Sequence, residues 1–124
     1  MIVAKGNFEG RGGHELSGEF VIESRGTDYW LVTSENFYFD GSPEPGFAVA
    51  ASLSPTASEA EATRFLNLRG SGSLSGPQIE VTGKQEGRIG SDFDIEKTRA
   101  VFLWCYLTPF LLGIGPLTST DGGS

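Results

Sequence analysis

The chain has 124 residues, with 9 basic and 16 acidic side chains and a formal charge of -7, a size that fits one domain able to bury roughly two-thirds of the surface its unfolded chain exposes. The acidic balance argues against a nucleic-acid surface, because phosphate backbones are held largely through Lys and Arg. One cysteine and one histidine rule out an intrachain disulfide, a four-ligand structural zinc site and a blue-copper site.

Met1 to Gly6 lead into polar, glycine-rich sequence with no apolar targeting region behind a basic start, so no signal peptide is expected. Leu16, Gly18, Phe20 and Ile22 then alternate with Ser17, Glu19, Val21 and Glu23, the pattern of a half-buried strand. Arg25-Gly26-Thr27-Asp28 reads as a turn and Tyr29 to Thr33 as its partner strand. After Phe37-Tyr38-Phe39, the two prolines and two glycines of Asp40-Gly41-Ser42-Pro43-Glu44-Pro45-Gly46 predict a loop. The next strand is expected to carry Phe47, Val49, Ala51 and Leu53 on one face and small residues on the other.

Thr56 to Arg64, rich in Ala and Glu, is the one stretch that reads as helical, and Ser58 with Glu61 has capping-box spacing. From Phe65 to Ile89 brief apolar runs (Phe65-Leu66, Ile79-Glu80-Val81, Arg88-Ile89) are punctuated by glycines, and Asp94 to Arg99 is a charged connector. Val101 to Leu107 follows as the most apolar segment, with Val101, Leu103, Cys105 and Leu107 on one face and Phe102, Trp104 and Tyr106 on the other. A strand apolar on both faces belongs inside, so Cys105 is expected to be at least partly buried. No charged residue occurs from Ala100 to Thr120, but Pro109, Gly113, Gly115 and Pro116 interrupt that run. It reads as two buried strands joined near Thr108-Pro109 and not as a membrane span. Many short strands with frequent glycine turns predict an all-β, single-domain antiparallel β-sandwich or barrel-like fold, with at most a short helical insertion near Ser58 to Phe65. Residues 1–118 are expected to form that domain and 119–124 a flexible tail.

Few site chemistries remain. No Gly-x-Ser-x-Gly elbow accompanies His14. Gly70-Ser71-Gly72-Ser73-Leu74-Ser75 has Ser75 where a dinucleotide fingerprint needs its third glycine, and reads as a flexible turn. Asp28, Glu35, Asp40, Asp92 and Asp94 read as surface carboxylates; a weak calcium site in the Asp40 loop is compatible with the residues, though no spacing demands it. Cys105 and His14 are left, and pattern alone reads them as a small core hydrophobe and a loop imidazole bonded to backbone.

Three groups of residues resemble the DM-thirteen domain, a Skeletor-type domain proposed for electron transfer. They are Gly6-Asn7-Phe8 with His14-Glu15-Leu16-Ser17-Gly18; Asn36-Phe37 with Asp40-Gly41-Ser42-Pro43; and Gly83-Lys84-Gln85 with Asp94, Val101, Trp104 and Cys105. The chain departs from that family at Gly87, at Gly90 and over Thr108-Pro109-Phe110. The resemblance implies a redox or electron-transfer accessory module without independent catalytic activity, acting on a redox partner protein. In that reading Cys105 is the redox group, as a thiol or a haem ligand, with His14 and Trp104 in its surroundings. The rival expectation is a non-catalytic binding or adhesion domain in which the Trp-Cys element is core and the loops around Asp40 and Gly70 meet a partner.

Overall fold

In the computed structural model, residues 1–120 are described. The chain enters as β1 (Ile2–Asn7) and β2 (Glu9–Gly10), followed by β3 (Leu16–Ser17), β4 (Glu19–Arg25) and β5 (Asp28–Thr33). It continues through β6 (Tyr38–Phe39), β7 (Pro45–Ala50) and the one helix among the described residues, α1 (Ala57–Thr63), to β8 (Leu66–Asn67) and β9 (Val81–Thr82). The last elements are β10 (Glu86–Gly90), β11 (Ala100–Cys105), β12 (Phe110–Pro116) and β13 (Thr118–Ser119). The fold is all-β, as the glycine-punctuated pattern predicts.

Two five-stranded antiparallel sheets, ordered β10-β5-β4-β1-β13 and β2-β12-β11-β7-β8, face each other, and a small third sheet is ordered β3-β6-β9. Between the large sheets lie Ala4, Phe20, Ile22 and Leu31 from the first and Phe47, Val101, Leu103, Cys105 and Leu112 from the second. These are the alternate, inward residues of each strand, as a sandwich core requires. The turn at Gly26-Thr27 joins β4 to β5, and Gly26 takes φ 63, a backbone angle that favours glycine. Phe8 is where the chain crosses from one sheet to the other, since Asn7 pairs with Glu19 and Gly10 with Gly113. Its ring stacks on Phe20 at 4.6 Å and on Phe47 at 5.4 Å, and meets Phe37 edge-on at 5.7 Å.

The strand β11 is buried along its whole length. Val101, Leu103 and Cys105 point between the sheets, whereas Phe102 and Trp104 join Ala48, Ala50, Ala60, Ala100 and Ile114 under α1. The small residues of β7 let the helix come close. Tyr106 Oη donates to the Ala60 carbonyl at 2.8 Å and its ring lies 3.9 Å beneath the Arg64 guanidinium, fixing the helix to the end of β11.

Several local expectations change. Leu16 and Ser17, read as one strand with Phe20 and Ile22, belong to the small sheet, and Pro45 and Gly46, read as loop, open β7 and pair with Cys105 and Trp104. The strand after the Asp40 loop stops at Ala50, and Ala51 and Leu53 are exposed beyond it. The capping box uses Thr56 and Glu59 in place of Ser58 and Glu61. Two overlapping boxes are present in the sequence; the upstream one starts the helix because Glu59 Oε2 also accepts the Ala51 backbone N–H at 2.9 Å, capping helix and strand end together. Leu107 leaves the β11 face for the turn and is exposed. Of the expected tail, Ser119 pairs with Ala4 and Thr120 N–H donates to the Val3 carbonyl, and 121–124 lie outside the described residues.

No helix among the described residues is long and apolar enough to cross a membrane. Ala100 to Thr120 instead forms the hairpin of β11 and β12 and the strand β13.

Candidate functional site

The small third sheet assembles the site. Leu16 pairs with Phe39, and the register continues outward: Asp40 N–H donates to the Glu15 carbonyl at 3.1 Å, and Glu15 N–H donates to Asp40 Oδ2 at 3.0 Å. His14, the next residue out, is thereby set beside Asp40, with Nδ1 and Oδ1 at 2.9 Å. The carboxylate accepts and does not donate, so Nδ1 carries the proton of this bond. The imidazole stacks on Phe39 and meets Phe110 edge-on, both at 5.8 Å. Its loop partner is thus a side chain, where sequence pattern predicts a backbone group.

Two loops wrap this imidazole. Gln78 Nε2 donates to the Asp40 carbonyl at 2.7 Å, and Gly72 N–H donates to the Pro43 carbonyl at 2.7 Å. A Cβ on Gly70 would come within 2.5 Å of the Pro43 oxygen and 2.7 Å of the Ser42 oxygen, so the close approach of the loops needs glycine there. The result is a cleft of about 240 Å³ lined by His14, Ser42, Pro43, Leu74, Pro77 and Gln78 among others. Pro43, Leu74 and Pro77 are its apolar lining, and Leu74 is 70% exposed on the rim. Phe110, which opens β12 and meets His14, is 38% exposed, and Leu107 in the β11–β12 turn is 39% exposed.

The electrostatic setting is acidic. Tyr38 Oη donates to Glu80 Oε2 at 2.6 Å; this bond, with burial and the charges of Glu80, Glu15 and Asp40, pushes the phenol up to about 12. Arg11 is engaged by the Glu9 carboxylate. Among the described residues, no group of three or more His, Cys, Asp or Glu side chains is placed to hold a metal ion, so the Asp40 loop gains no support as a calcium site.

Cys105 lies behind the cleft, 1% exposed, with Thr108 Oγ1 donating to its sulfur at 3.4 Å. Burial by itself pushes the thiol up, but the hydroxyls of Ser42 and Thr108, with backbone at Thr108 and Glu44, hold it at about 7 against an ordinary 9.0. Ser42 belongs to both places, since it lines the cleft and its hydroxyl favours the thiolate. Ser42 is 6% exposed, and its Oγ has no partner at ordinary hydrogen-bond geometry among the described residues.

The three residues singled out from sequence are therefore not one cluster. Trp104 faces α1 and meets Phe102 edge-on at 6.0 Å, on the opposite side of β11 from Cys105. Among the described residues no hydrogen bond joins His14 to Cys105. These residues do not fit haem: the sulfur is sealed, His14 is tied to Asp40, and the cleft is smaller than the roughly 300 Å³ at which drug-sized ligand sites begin. A larger concavity of about 660 Å³ lies on the first sheet, over Val21 and Val32 with Lys5, Lys84, Glu19 and Glu35 around them, and contains neither Cys nor His. Its mixed charges are those of a solvated sheet face.

Sequence reasoning offered the loops around Asp40 and Gly70 as a partner surface but singled out none of Ser42, Leu74 and Gln78, and took Asp40 for a surface acid. The available signal was the pairing of two loop-forming tracts on either side of a lone histidine. No family model, curated protein or solved structure matches this chain.

Proposed function

We propose that the protein is a non-catalytic binding domain that receives a polypeptide partner at the cleft between the Asp40 and Gly70 loops. The observation that carries this reading is an imidazole held in one orientation by Asp40 inside an apolar-walled cleft. Pockets with apolar walls and a few fixed polar groups are the usual form of recognition sites. Leu74, Leu107 and Phe110 at this end are three of the six exposed large hydrophobic side chains among the described residues, which favours a protein partner over a free metabolite. The test is a backbone-amide NMR screen with a library of small aromatic and aliphatic fragments. Binders are expected to shift Ser71, Leu74, Gly76 and Gln78 together, and Leu74→Asp to abolish the effect. Fragments that collect elsewhere, or bind the Leu74→Asp variant equally well, would count against the cleft.

A redox thiol, as the DM-thirteen resemblance implies, is the second reading, favoured by the Cys105 thiol held at about 7 behind a cleft wall. The two readings differ in access. As packing, Cys105 reacts with iodoacetamide only as fast as the protein unfolds globally; as a working thiol, it reacts in the folded state and forms a sulfenic acid with peroxide. Mass spectrometry of time-quenched samples reads both.

A further inference from the structure

We infer that the side chain the cleft receives is a tyrosine of the bound polypeptide, its ring between the apolar walls and its hydroxyl donating to Nε2 of His14. This rests on the binding reading above and adds the chemistry of the ligand. Size comes first. About 240 Å³ leaves room for one ring and not for an extended segment, because sites for drug-sized ligands start at roughly 300 Å³.

The walls come second. Pro43, Leu74 and Pro77 give apolar surface on which a flat ring packs, and the ring of an aromatic residue costs little side-chain freedom to immobilise.

The polar groups then choose among rings. Asp40 fixes the proton of His14 on Nδ1, and its second oxygen is occupied by the Glu15 N–H, so the pair is locked from behind. Nε2 is the one ring nitrogen left for a ligand, and in the neutral imidazole it accepts. Gln78 spends one of its two amide N–H groups on the Asp40 carbonyl, which leaves the other N–H and the side-chain oxygen. With the Ser42 hydroxyl, the cleft offers donors beside its acceptors, and a ligand hydroxyl answers both by donating to Nε2 and accepting in return. Phenylalanine has no such group.

Charge removes the other candidates. Glu15, Asp40 and Glu80 surround this end of the small sheet, and the nearby Arg11 is held by Glu9, so a carboxylate or phosphate would enter against a negative field. A lysine ammonium would suit the field but would leave water for apolar walls, at a desolvation cost that a few neutral acceptors do not return. The phenol is uncharged at neutral pH and presents one donor on an apolar body.

The test compares N-acetyl-tyrosinamide with the phenylalanine and lysine analogues by amide-shift titration of the whole chain. Tyrosinamide is expected to move Ser71, Leu74 and Gln78 and to bind about tenfold more tightly than phenylalaninamide, the cost of leaving one buried acceptor unpaired. His14→Phe, which keeps a ring between Phe39 and Phe110, is expected to erase that preference. Leu74→Asp, at an exposed position, is expected to weaken all binding and serves if His14→Phe misfolds. Phenylalaninamide or lysinamide binding as well as tyrosinamide overturns the inference. A cleft that takes apolar fragments without favouring tyrosine overturns it too while leaving the binding reading standing; a cleft that takes neither removes both.

Discussion

The two faces of β11 differ more than their shared apolar sequence suggests. One face, Val101, Leu103 and Cys105, fills the space between two sheets and is met by large rings and branched side chains. The other, Phe102 and Trp104, is met by alanines of β7 and α1. The first is a core of interdigitating bulk; the second is a close seat for a helix, in which the strand supplies the bulk and the helix the smoothness. Trp104 and Cys105 are neighbours in sequence and belong to different environments. A motif of adjacent residues on a strand cannot form one site unless that site spans the sheet.

The comparison breaks most readily at the bulk. Phe102→Ala is expected to cost about 3–5 kcal/mol and Leu103→Ala about 2–5 kcal/mol in denaturant unfolding, since each leaves a cavity in a sealed layer. A loss below about 1 kcal/mol at Phe102 would show that α1 does not seal its face. Filling the smooth side tests it from the opposite direction. Ala48→Leu is expected to destabilise by about 1–3 kcal/mol through overpacking against the helix, whereas an unchanged midpoint would mean that the helix rides loosely.

Protonation separates the faces without changing volume. The Cys105 thiol titrates at about 7 in the fold against 9.0 ordinarily. Between those values the unfolded chain holds the extra proton, so stability rises with pH and is lost as pH falls through 7, with a slope of about 1 kcal/mol per pH unit. Unfolding free energies from pH 7 to pH 9 should show this slope in the native protein and in Trp104→Phe, and lose it in Cys105→Ala. Loss of the slope in Trp104→Phe would join the two faces again. Tyr106→Phe, which removes the bond to the Ala60 carbonyl, is expected to cost roughly 0.5–1.5 kcal/mol by the same denaturant measurement. Ser42→Ala is the smallest perturbation, under about 1 kcal/mol, because its Oγ has no ordinary partner to lose. Its effect should instead be an upward shift of the Cys105 titration, followed by thiolate absorbance.

The architecture was readable because period and punctuation agreed. Phe20 and Ile22 alternate with Glu19, Val21 and Glu23 and point into the sandwich, and the turn at Gly26-Thr27 falls between the strands expected to pair. The Ala100–Thr120 run yielded to its own glycines and prolines. The cleft was not readable in the same way. Its walls come from His14, the Asp40 loop and the Gly70 loop, stretches separated by dozens of positions, and no local pattern encodes that they meet. What brings them together is the three-stranded minor sheet, whose two-residue strands are too short to show a periodicity. The helix cap failed for a related reason. Two equally good boxes overlap, and the choice was made by the backbone N–H of Ala51, a non-local partner.

The double duty of Glu59 also offers a handle for experiment. Its carboxylate clamps the end of β7 to the start of α1, so residues 51–55, exposed from Ala51 to Ser54, form a loop closed at its base by one side chain. Lengthening such a loop adds closure entropy only slowly. It lies at the Ala50 end of β7, where Ala50 pairs with Ala100, while Cys105 pairs with Pro45 at the far end beside the cleft. A dye, a surface tether or an inserted domain placed at Leu53 would hold the molecule by its back and leave the His14 cleft facing outward.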